Sequence, residues 1–335
     1  MPTPKENFLR LMRNDSPHWL GDPWCCFNQN LPFRPICFDA VTQSLGGPLP
    51  GQMKVKNAWG VTMDWPEGHA GATPYITDEN KVIKDITHWR DYVTFPDIDN
   101  LDWSEVDKAA AGFDRENLLV MSGTFTGMFE FSHYMMGFMD ALTNYLIEPE
   151  AMYELLSAYT DWKIKAVGLA IDHIKPDIIH SHDDWGSKKS LFMNPQTWRE
   201  IIKPQYQRLY GYIKSRGVLV QHHADCVCHE IAEDMVDLGI DMWQGVIPQN
   251  DIKSVIERTG GKLCILGGID MAKIDMPQAD EDAIRTEVRR AIDEYMPLGS
   301  FIPCVPNIIP MFPQVETILN DELNSYGAKY AREHF

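Results

Sequence analysis

The chain has 335 residues and a mass of 38.3 kDa, and 44% of its residues are hydrophobic, which is enough for a substantial core. Its formal net charge of −18 argues against nucleic-acid binding, because nucleic-acid phosphates repel such a surface. No apolar run reaches the length of about 18 residues that a membrane span needs, and charged residues near the N-terminus argue against a signal peptide. The seven cysteines, an odd number without a secretion signal, indicate reduced thiols and a cytoplasmic location.

We expect a single domain over residues 1–335, with an irregular N-terminal part at 1–115 and regular units at 116–335. The first part is rich in proline, glycine and tryptophan, whereas in the second part short apolar runs alternate with helical periodicity. The apolar runs predict strands at residues 118–122, 177–180, 218–221, 241–245, 263–266 and 300–303. The periodic segments predict helices at residues 149–174, 194–217, 231–238 and 252–259, and a last helix that ends near residue 295.

The helix predicted over residues 194–217 has signals at both ends and a break inside it. Asn194 can cap the helix, Pro195 suits its first position, and Gly217 can end it. Pro204 has no N–H for a helical hydrogen bond, so a kink or a division into two helices is expected there.

Strands and helices alternate at least five times, which is typical of parallel α/β architecture. A closed barrel and an open doubly wound sheet both fit this alternation. Polar residues follow most of the strands, and in a barrel all of these positions converge on one mouth, whereas an open sheet binds ligands at its switch point. We therefore predict a (β/α)8 TIM barrel. The glycine pair Gly267–Gly268 lacks the G-x-G-x-x-G pattern, which argues against a dinucleotide site.

Two strand ends that lie far apart in the sequence carry side chains able to bind a metal. His223 and Asp225 follow one predicted strand, and Cys304 ends another. Alternate residues on a strand point the same way, so His223 and Asp225 can both face the barrel interior. Nitrogen, oxygen and sulfur are the donors that zinc accepts, and three protein ligands with an open fourth position are typical of catalytic zinc. We predict a zinc site formed by His223, Asp225 and Cys304.

A rival ligand set occupies the same segment and consists of His222, Cys226, Cys228 and His229. A single residue separates Cys226 from Cys228, which is tighter than the C-x₂-C spacing of zinc knuckles. The alternative is that both cysteines pack at the start of the helix behind the strand.

The segment from His180 to Trp185 is the second candidate for chemistry. Two carboxylates, Asp183 and Asp184, stand beside two histidines, which indicates proton transfer or substrate orientation. Adjacent strand residues point in different directions, so only one of the two carboxylates can face the mouth. The alternative is a loop in which the aspartates bond backbone amides. We predict Asp184 and His182 as catalytic residues.

The predicted substrate-binding residues are Asp183, Trp185, Glu130, His222 and Gln244. Trp185 and Trp243 can form an aromatic wall for a flat substrate, although each is equally suited to the core. Glu130 and His133 are candidates because they follow a glycine-rich turn at residues 123–127.

Six segments spread over nearly the whole chain resemble the uroporphyrinogen decarboxylase superfamily, and especially its corrinoid-linked methyltransferase branch. They are Thr3–Phe8, Trp59–Trp65, Met136–Leu142, Asp183–Gly186, Pro195–Pro204 and Gly267–Asp270. The resemblance implies a (β/α)8 barrel, and the family's habit of pairing makes a homodimer an expectation. The arginine- and glycine-rich N-terminal signature of the porphyrinogen decarboxylases themselves is absent, which argues against that reaction.

In the methylcobalamin:coenzyme M methyltransferases of this branch, the zinc motif is H-x-C with a second cysteine far downstream. The resemblance places His223, Asp225 and Cys304 at these positions, with an aspartate where the first cysteine belongs. The replacement keeps the ligand charge but exchanges a soft thiolate for a harder oxygen, which makes the zinc a stronger Lewis acid. Such a zinc suits an ether or alcohol oxygen better than a thiol.

We therefore expect a methyltransferase that moves a methyl group from a small-molecule donor, such as a phenyl methyl ether, to the cobalt of cobalamin. The cobalamin would be carried by a separate corrinoid protein. Zinc would bind the ether oxygen, while Asp184 or His182 would position the substrate or deliver a proton. Two other interpretations stay open: metal-free decarboxylation of another carboxylic acid, and a barrel that binds a small ligand or corrinoid without catalysis.

Overall fold

The computed structural model describes residues 2–15, 21, 23–28, 36–69, 71–305 and 312–334. In chain order, its strands are β1 Ile36–Cys37, β2 Val55–Lys56, β3 Thr62–Asp64, β4 Thr73–Pro74, β5 Met121–Thr124, β6 Ile178–His182, β7 Leu219–His223, β8 Met242–Val246, β9 Cys264–Gly268 and β10 Phe301–Cys304.

The helices of the described residues follow the same numbering. They are α1 Pro4–Met12, α2 Ala40–Ser44, α3 Ser104–Ala111, α4 Met128–Met136, α5 Phe138–Ile147, α6 Pro149–Ile174, α7 Pro195–Thr197, α8 Lys203–Ser215, α9 Ala232–Asp237, α10 Ile252–Thr259, α11 Met271–Ile274, α12 Glu281–Tyr295 and α13 Pro313–His334.

The main sheet contains seven strands among the described residues, in the order β1-β5-β6-β7-β8-β9-β10. All neighbouring strands in it are parallel, and from β5 onward each strand pairs with the next one in the chain. An open doubly wound sheet would reverse its strand order at a switch point, and this sheet does not. The order is that of a (β/α)8 TIM barrel and confirms the predicted fold class.

The N-terminal part contains more regular structure than the sequence indicated. Helix α1 begins with a capping box in which Thr3 and Glu6 exchange hydrogen bonds. Strand β1 joins the main sheet beside β5, and β2, β3 and β4 form a small antiparallel sheet. Strands of two or three residues are too short to show an alternating pattern, which explains why no pattern in the sequence predicted them.

The strands of the barrel run further toward their polar ends than predicted. Strand β6 extends to His182 and β7 to His223, and these two residues are register partners. The polar ends are tied into the barrel by side-chain bonds, for example between His180 Nδ1 and Gln221 Oε1 at 2.7 Å. Apolar runs alone therefore missed the last one or two residues of the strands from β5 to β10.

The break predicted at Pro204 is confirmed. A π-helical turn at Trp198–Ile202 separates α7 from α8, which has Pro204 in its first turn. The proline has no N–H to donate, so the backbone bonds must rearrange there. The helix predicted to end near Tyr295 is divided into α11 and α12.

A buried glutamate of the C-terminal helix α13 forms ion pairs with two arginines of α12. Glu322, whose side chain is 2% exposed, bonds Arg285 Nη1 at 2.6 Å and Arg289 Nε at 2.5 Å. Burial raises the pKa of Glu322, but the two guanidinium groups outweigh it and hold this pKa below its usual range.

None of the helices in the described ranges is both long enough and apolar enough to cross a membrane.

Candidate active site

Strand β7 sends two adjacent histidines to opposite sides of the barrel wall. The ring of His222 stacks on that of Trp185, with centroids 4.0 Å apart, and its Nδ1 lies 2.7 Å from the hydroxyl of Tyr210 in helix α8. His222 therefore lies between the sheet and the helices. Because strand side chains alternate, His223 faces the barrel interior. There it stacks on His182 of the neighbouring strand, with ring centroids 4.6 Å apart.

A single amide sets the orientation of His223. Its Nδ1 bonds Oε1 of Gln244, and Nε2 of that amide lies 3.5 Å from the Val305 carbonyl. A carbonyl can only accept, so Gln244 Nε2 is the donor there, and Oε1 must accept the Nδ1–H of His223. The imidazole therefore keeps a lone pair on Nε2, as a metal ligand requires.

The structure brings His223 and Asp225 together with a third residue, Asp184. One ligand atom of each lies within 4.8 Å of the others. Asp184 Oδ1 accepts the backbone N–H of Asp225 at 2.9 Å, which ties the loop after β6 to the loop after β7. Asp225 also pairs with Lys188 Nζ at 2.9 Å. These donors stand at the carboxyl ends of two adjacent strands, where barrel enzymes place their active sites.

A second group of three possible ligands shares Asp184 with the first. It consists of Glu130, His182 and Asp184, again with donor atoms within 4.8 Å of one another. His182 Nδ1 lies 3.0 Å from Glu130 Oε1, and Glu130 Oε2 accepts the N–H of Gly127 at the start of α4. The carboxylate of Glu130 therefore reaches the mouth from helix α4 and not from a strand end.

Burial and mutual charge shift the pKa values of these groups. Burial disfavours a charged His182, but the Glu130 carboxylate outweighs it and raises the pKa of His182 to about 10. Burial likewise raises the pKa of Glu130, yet His182 prevails and holds it below its usual value. Burial, together with the carboxylate of Asp225, raises the pKa of Asp184 to about 7. Burial and the neighbouring His182 lower the pKa of His223 to about 4.

Asp183 has a different environment from its neighbour Asp184. It is fully buried, and its Oδ1 accepts the N–H of Glu130 at 3.0 Å while Oδ2 accepts that of Phe129 at 3.1 Å. Oδ2 also accepts from Trp185 Nε1 at 2.8 Å and from the Tyr206 hydroxyl at 2.7 Å. Asp183 is therefore an anchor for the N-terminus of α4, and only Asp184 faces the mouth.

Comparison with known proteins gives the family of this chain. The model of the uroporphyrinogen decarboxylase (URO-D) family matches residues 53–303, which is most of the chain. The chain belongs to the URO-D family. This confirms the superfamily that the sequence segments indicated.

A solved structure gives the same fold for this URO-D member. A methyltransferase from Methanosarcina mazei superposes with a TM-score of 0.65 at 14% identity, covering 98% of this chain and 100% of that one. A 3-keto-D-glucoside 4-epimerase from E. coli gives a TM-score of 0.34 at 11% identity, covering 69% of this chain and 85% of that one. No curated protein matches this sequence.

Three predicted substrate-binding residues of the URO-D chain lie in its packed interior. Asp183 anchors α4, and His222 and Trp185 stack on each other between the sheet and α8. Trp243 is also fully buried, with its Nε1 bonded to the Ala224 carbonyl at 3.0 Å. The structure gives these side chains packing roles, and their contact with a substrate stays a prediction. Glu130 and Gln244, the other two, bond the histidines that face the mouth.

Cys304 faces the barrel interior and belongs to neither of the two groups of possible ligands. Phe301 packs on Tyr295 of α12 with ring centroids 5.2 Å apart, so by alternation Ile302 and Cys304 point inward. Within the described residues, Cys304 is not a member of any set of three donors that lie within 4.8 Å of one another. Its role as a zinc ligand stays a prediction.

The rival cysteines lie in a packed turn. Cys226 and Cys228 are buried, and Asn250 binds the segment by accepting the N–H of Cys228 at 2.9 Å and donating to the Cys226 carbonyl at 2.8 Å. This agrees with the alternative that both cysteines pack behind the strand. Burial raises the pKa of the Cys228 thiol, which further disfavours the thiolate that a metal requires.

Sequence reasoning missed two features of the site. It did not include Asp184 among the possible metal ligands, and it did not pair Glu130 with His182. An Asp-Asp dipeptide directly after a strand that ends in histidine was the available signal for the first feature. The second joins a helix to a strand over a long sequence separation, and no local pattern reports such a contact.

Two glycines permit the close approach of the site's side chains. A Cβ on Gly127 would lie 2.1 Å from Cβ of Asp183, so only glycine allows the α4 N-terminus to reach that carboxylate. Gly245 has φ +91°, and a Cβ there would stand 3.0 Å from Cε1 of His223.

Proposed function

We propose that this URO-D family member is a zinc-dependent methyltransferase that moves a methyl group between a small O-methyl compound and the cobalt of a corrinoid protein. The observation that carries the proposal is the group formed by Asp184, His223 and Asp225 at the mouth of the barrel. A solved structure that shares this fold at 98% coverage is a methyltransferase from Methanosarcina mazei. The corrinoid protein is the proposed partner, and a homodimer and a cytoplasmic location stay predictions.

The donors present at the mouth fit zinc. His223 offers a nitrogen lone pair, because Gln244 accepts its other ring hydrogen. Asp184 and Asp225 add two carboxylate oxygens, and zinc accepts both donor types in tetrahedral sites. Three protein ligands leave a fourth position for substrate, and Cys304 is a proposed further ligand. When bound, the zinc would act as a Lewis acid on the ether oxygen of the substrate.

The donor set favours an oxygen substrate over a thiol. Asp225 replaces the first cysteine of the related methyltransferase motif, and Asp184 adds another oxygen. Oxygen ligands donate less electron density than thiolates, so the metal stays a harder acid that prefers an ether oxygen. A phenyl methyl ether also gives a stabilised phenolate as its leaving group.

The proposed reaction breaks one bond and forms another without a protein nucleophile. The methyl carbon leaves the ether oxygen, which keeps the electron pair, and the reduced cobalt of the partner supplies the pair for the new carbon–cobalt bond. His182 lies beside His223 and is held by Glu130 at 3.0 Å. We assign His182 the proton that the departing oxygen needs, and Asp184 the orientation of the substrate.

The test combines metal analysis with a single-turnover methylation. Purified protein should contain zinc and should methylate a reduced corrinoid protein when a methoxylated arene is the methyl donor. The absorbance change of the corrinoid monitors this methylation. His223→Ala should lower the zinc content and abolish the methylation. His173→Ala is the matched control, because His173 also pairs with a carboxylate, Asp107, at 2.8 Å but lies away from the mouth.

Two results would contradict the proposal. Methylation that persists after complete removal of metal by a chelator would exclude the zinc. Carbon dioxide release from a carboxylic acid by the metal-free protein would instead favour the decarboxylase interpretation, which the family description makes the second candidate.

A further inference from the structure

We propose that the mouth of the barrel binds two divalent metal ions, bridged by the carboxylate of Asp184. The inference rests on the metal site of the proposed function and extends it. One ion would be held by Asp184, His223 and Asp225, and the second by Asp184, Glu130 and His182.

The two ligand groups share one residue, and each has two further residues of its own. Each group supplies one imidazole and two carboxylates, and the donor atoms within each lie within 4.8 Å of one another. A carboxylate has two oxygens and can bind one ion with each. Asp184 is the member common to both groups, so it stands where a bridging ligand must stand.

The spacing between Glu130 and His182 suits two ligands of one ion. Donors bound to zinc at about 2.0–2.2 Å, with angles between a right angle and the tetrahedral value, lie roughly 3.0–3.5 Å apart. The observed separation of His182 Nδ1 and Glu130 Oε1 is 3.0 Å. A metal ion can therefore replace the proton between them after only small movements, and its binding would release that proton. With the second ion bound, that ion would stabilise the departing oxygen in place of the His182 proton.

The stacked histidines set the distance between the two ions. The rings of His182 and His223 are nearly parallel, at 11°, with centroids 4.6 Å apart. Each ring belongs to a different ligand group. Parallel rings at this spacing can serve two ions separated by the roughly 3.5–4 Å that is usual in two-metal sites.

The surroundings favour two dications over one. Three carboxylates, those of Glu130, Asp184 and Asp225, converge on the two stacked histidines. The nearby Asp183 is not available as a ligand, because four donors already occupy its oxygens. Nitrogen and carboxylate oxygen without sulfur suit Zn²⁺, Mn²⁺, Fe²⁺ and Co²⁺. The second ion would bind another oxygen of the substrate or leaving group.

The experiment counts ions in the full-length protein after equilibration with Zn²⁺ and removal of the excess by dialysis. Mass spectrometry of the metal should give two ions per chain for the wild type. His182→Ala and His223→Ala should each retain one ion, and Asp184→Asn should lose most of both. His173→Ala should retain two ions. In the wild type, His173 pairs with Asp107, and no third possible ligand lies beside them among the described residues.

A second measurement does not depend on the folding of any variant. Wild-type protein loaded with two equivalents of Mn²⁺ should show the spin-coupled magnetic resonance spectrum of ions that share a carboxylate. One ion per chain, retained in His182→Ala and lost in His223→Ala, would overturn the second site and leave the zinc of the proposed function intact. No bound ion at all would overturn both. Two ions with uncoupled Mn²⁺ spectra would overturn the bridging role of Asp184.

Discussion

The fully buried Asp183 gives a sharp test of how this barrel holds its site. Its two oxygens accept four hydrogen bonds, two of them from backbone N–H groups at the start of helix α4. The substitution Asp183→Asn keeps the shape of the side chain but replaces one oxygen with a donor and removes the charge. We expect a large loss of stability, because α4 and the strand ends are joined through this carboxylate.

The magnitude follows from the bonds that are lost or weakened. If the remaining oxygen takes the place of Oδ2, it keeps the bonds to Phe129, Trp185 and Tyr206, and the new amide N–H₂ faces the N–H of Glu130. One buried donor left without a partner costs about 1–3 kcal/mol, and bonds to a neutral acceptor are each weaker by about 1 kcal/mol than bonds to a charged one. Partial relaxation reduces the sum, so we expect a loss of about 2–5 kcal/mol.

Urea unfolding followed by far-UV circular dichroism measures this change. The adjacent substitution Asp184→Asn is the matched control, because it makes the same chemical change in a half-buried residue that accepts a single backbone bond, from Asp225 at 2.9 Å. Asp184→Asn should lose metal with little loss of stability. Asp183→Asn should lose stability and keep most of its metal. A stability of Asp183→Asn within about 0.5 kcal/mol of the wild type, the range of a neutral surface change, would refute the anchoring role.

Three further predictions concern the metal site and the C-terminal helix. Gln244→Leu removes the acceptor that orients His223, so zinc affinity should fall about 10–100-fold in a competition with a chromophoric chelator, and an unchanged affinity would contradict that orientation. Among the described residues, Asp184 is a member of both groups of possible ligands and Cys304 of neither, so Asp184→Asn should weaken zinc binding more than Cys304→Ala. The opposite order, by metal analysis after dialysis, would make the cysteine the stronger ligand. Glu322 has a lowered pKa, so its pairing stabilises the fold above the ordinary glutamate pKa of 4.5 and this stability is lost as the pH falls below it. Wild-type stability should therefore decline more steeply than that of Glu322→Gln in acid denaturation, and equal slopes would count against the pairing.

Local pattern was sufficient for the helices and for part of the site. The boundaries of α6 and α10 are those that the periodicity indicated, and Gly260 ends α10 in the left-handed conformation. Strand alternation also predicted that His223 and Asp225 face the same side, and the structure brings them together although Asp225 lies beyond the end of β7. These features depend on side-chain direction along a single element, which the order of the residues specifies directly.

The tertiary structure decided which carboxylates meet the histidines. Asp183 and Asp184 are chemically identical neighbours, and only the path of the chain after β6 turns one into the α4 anchor and the other toward the mouth. Tertiary structure also decided the role of Glu130, because its bond to His182 joins a helix to a strand.

The sequence by itself therefore determined the family, the parallel barrel and the strand that presents His223. Only the folded chain showed that Asp184 lies with His223 and Asp225, and that Trp185 packs outward against the helices. The physical reason is that periodicity specifies which way a side chain points from its own backbone. The distance between side chains of different elements depends on loop paths and packing, which no single segment contains.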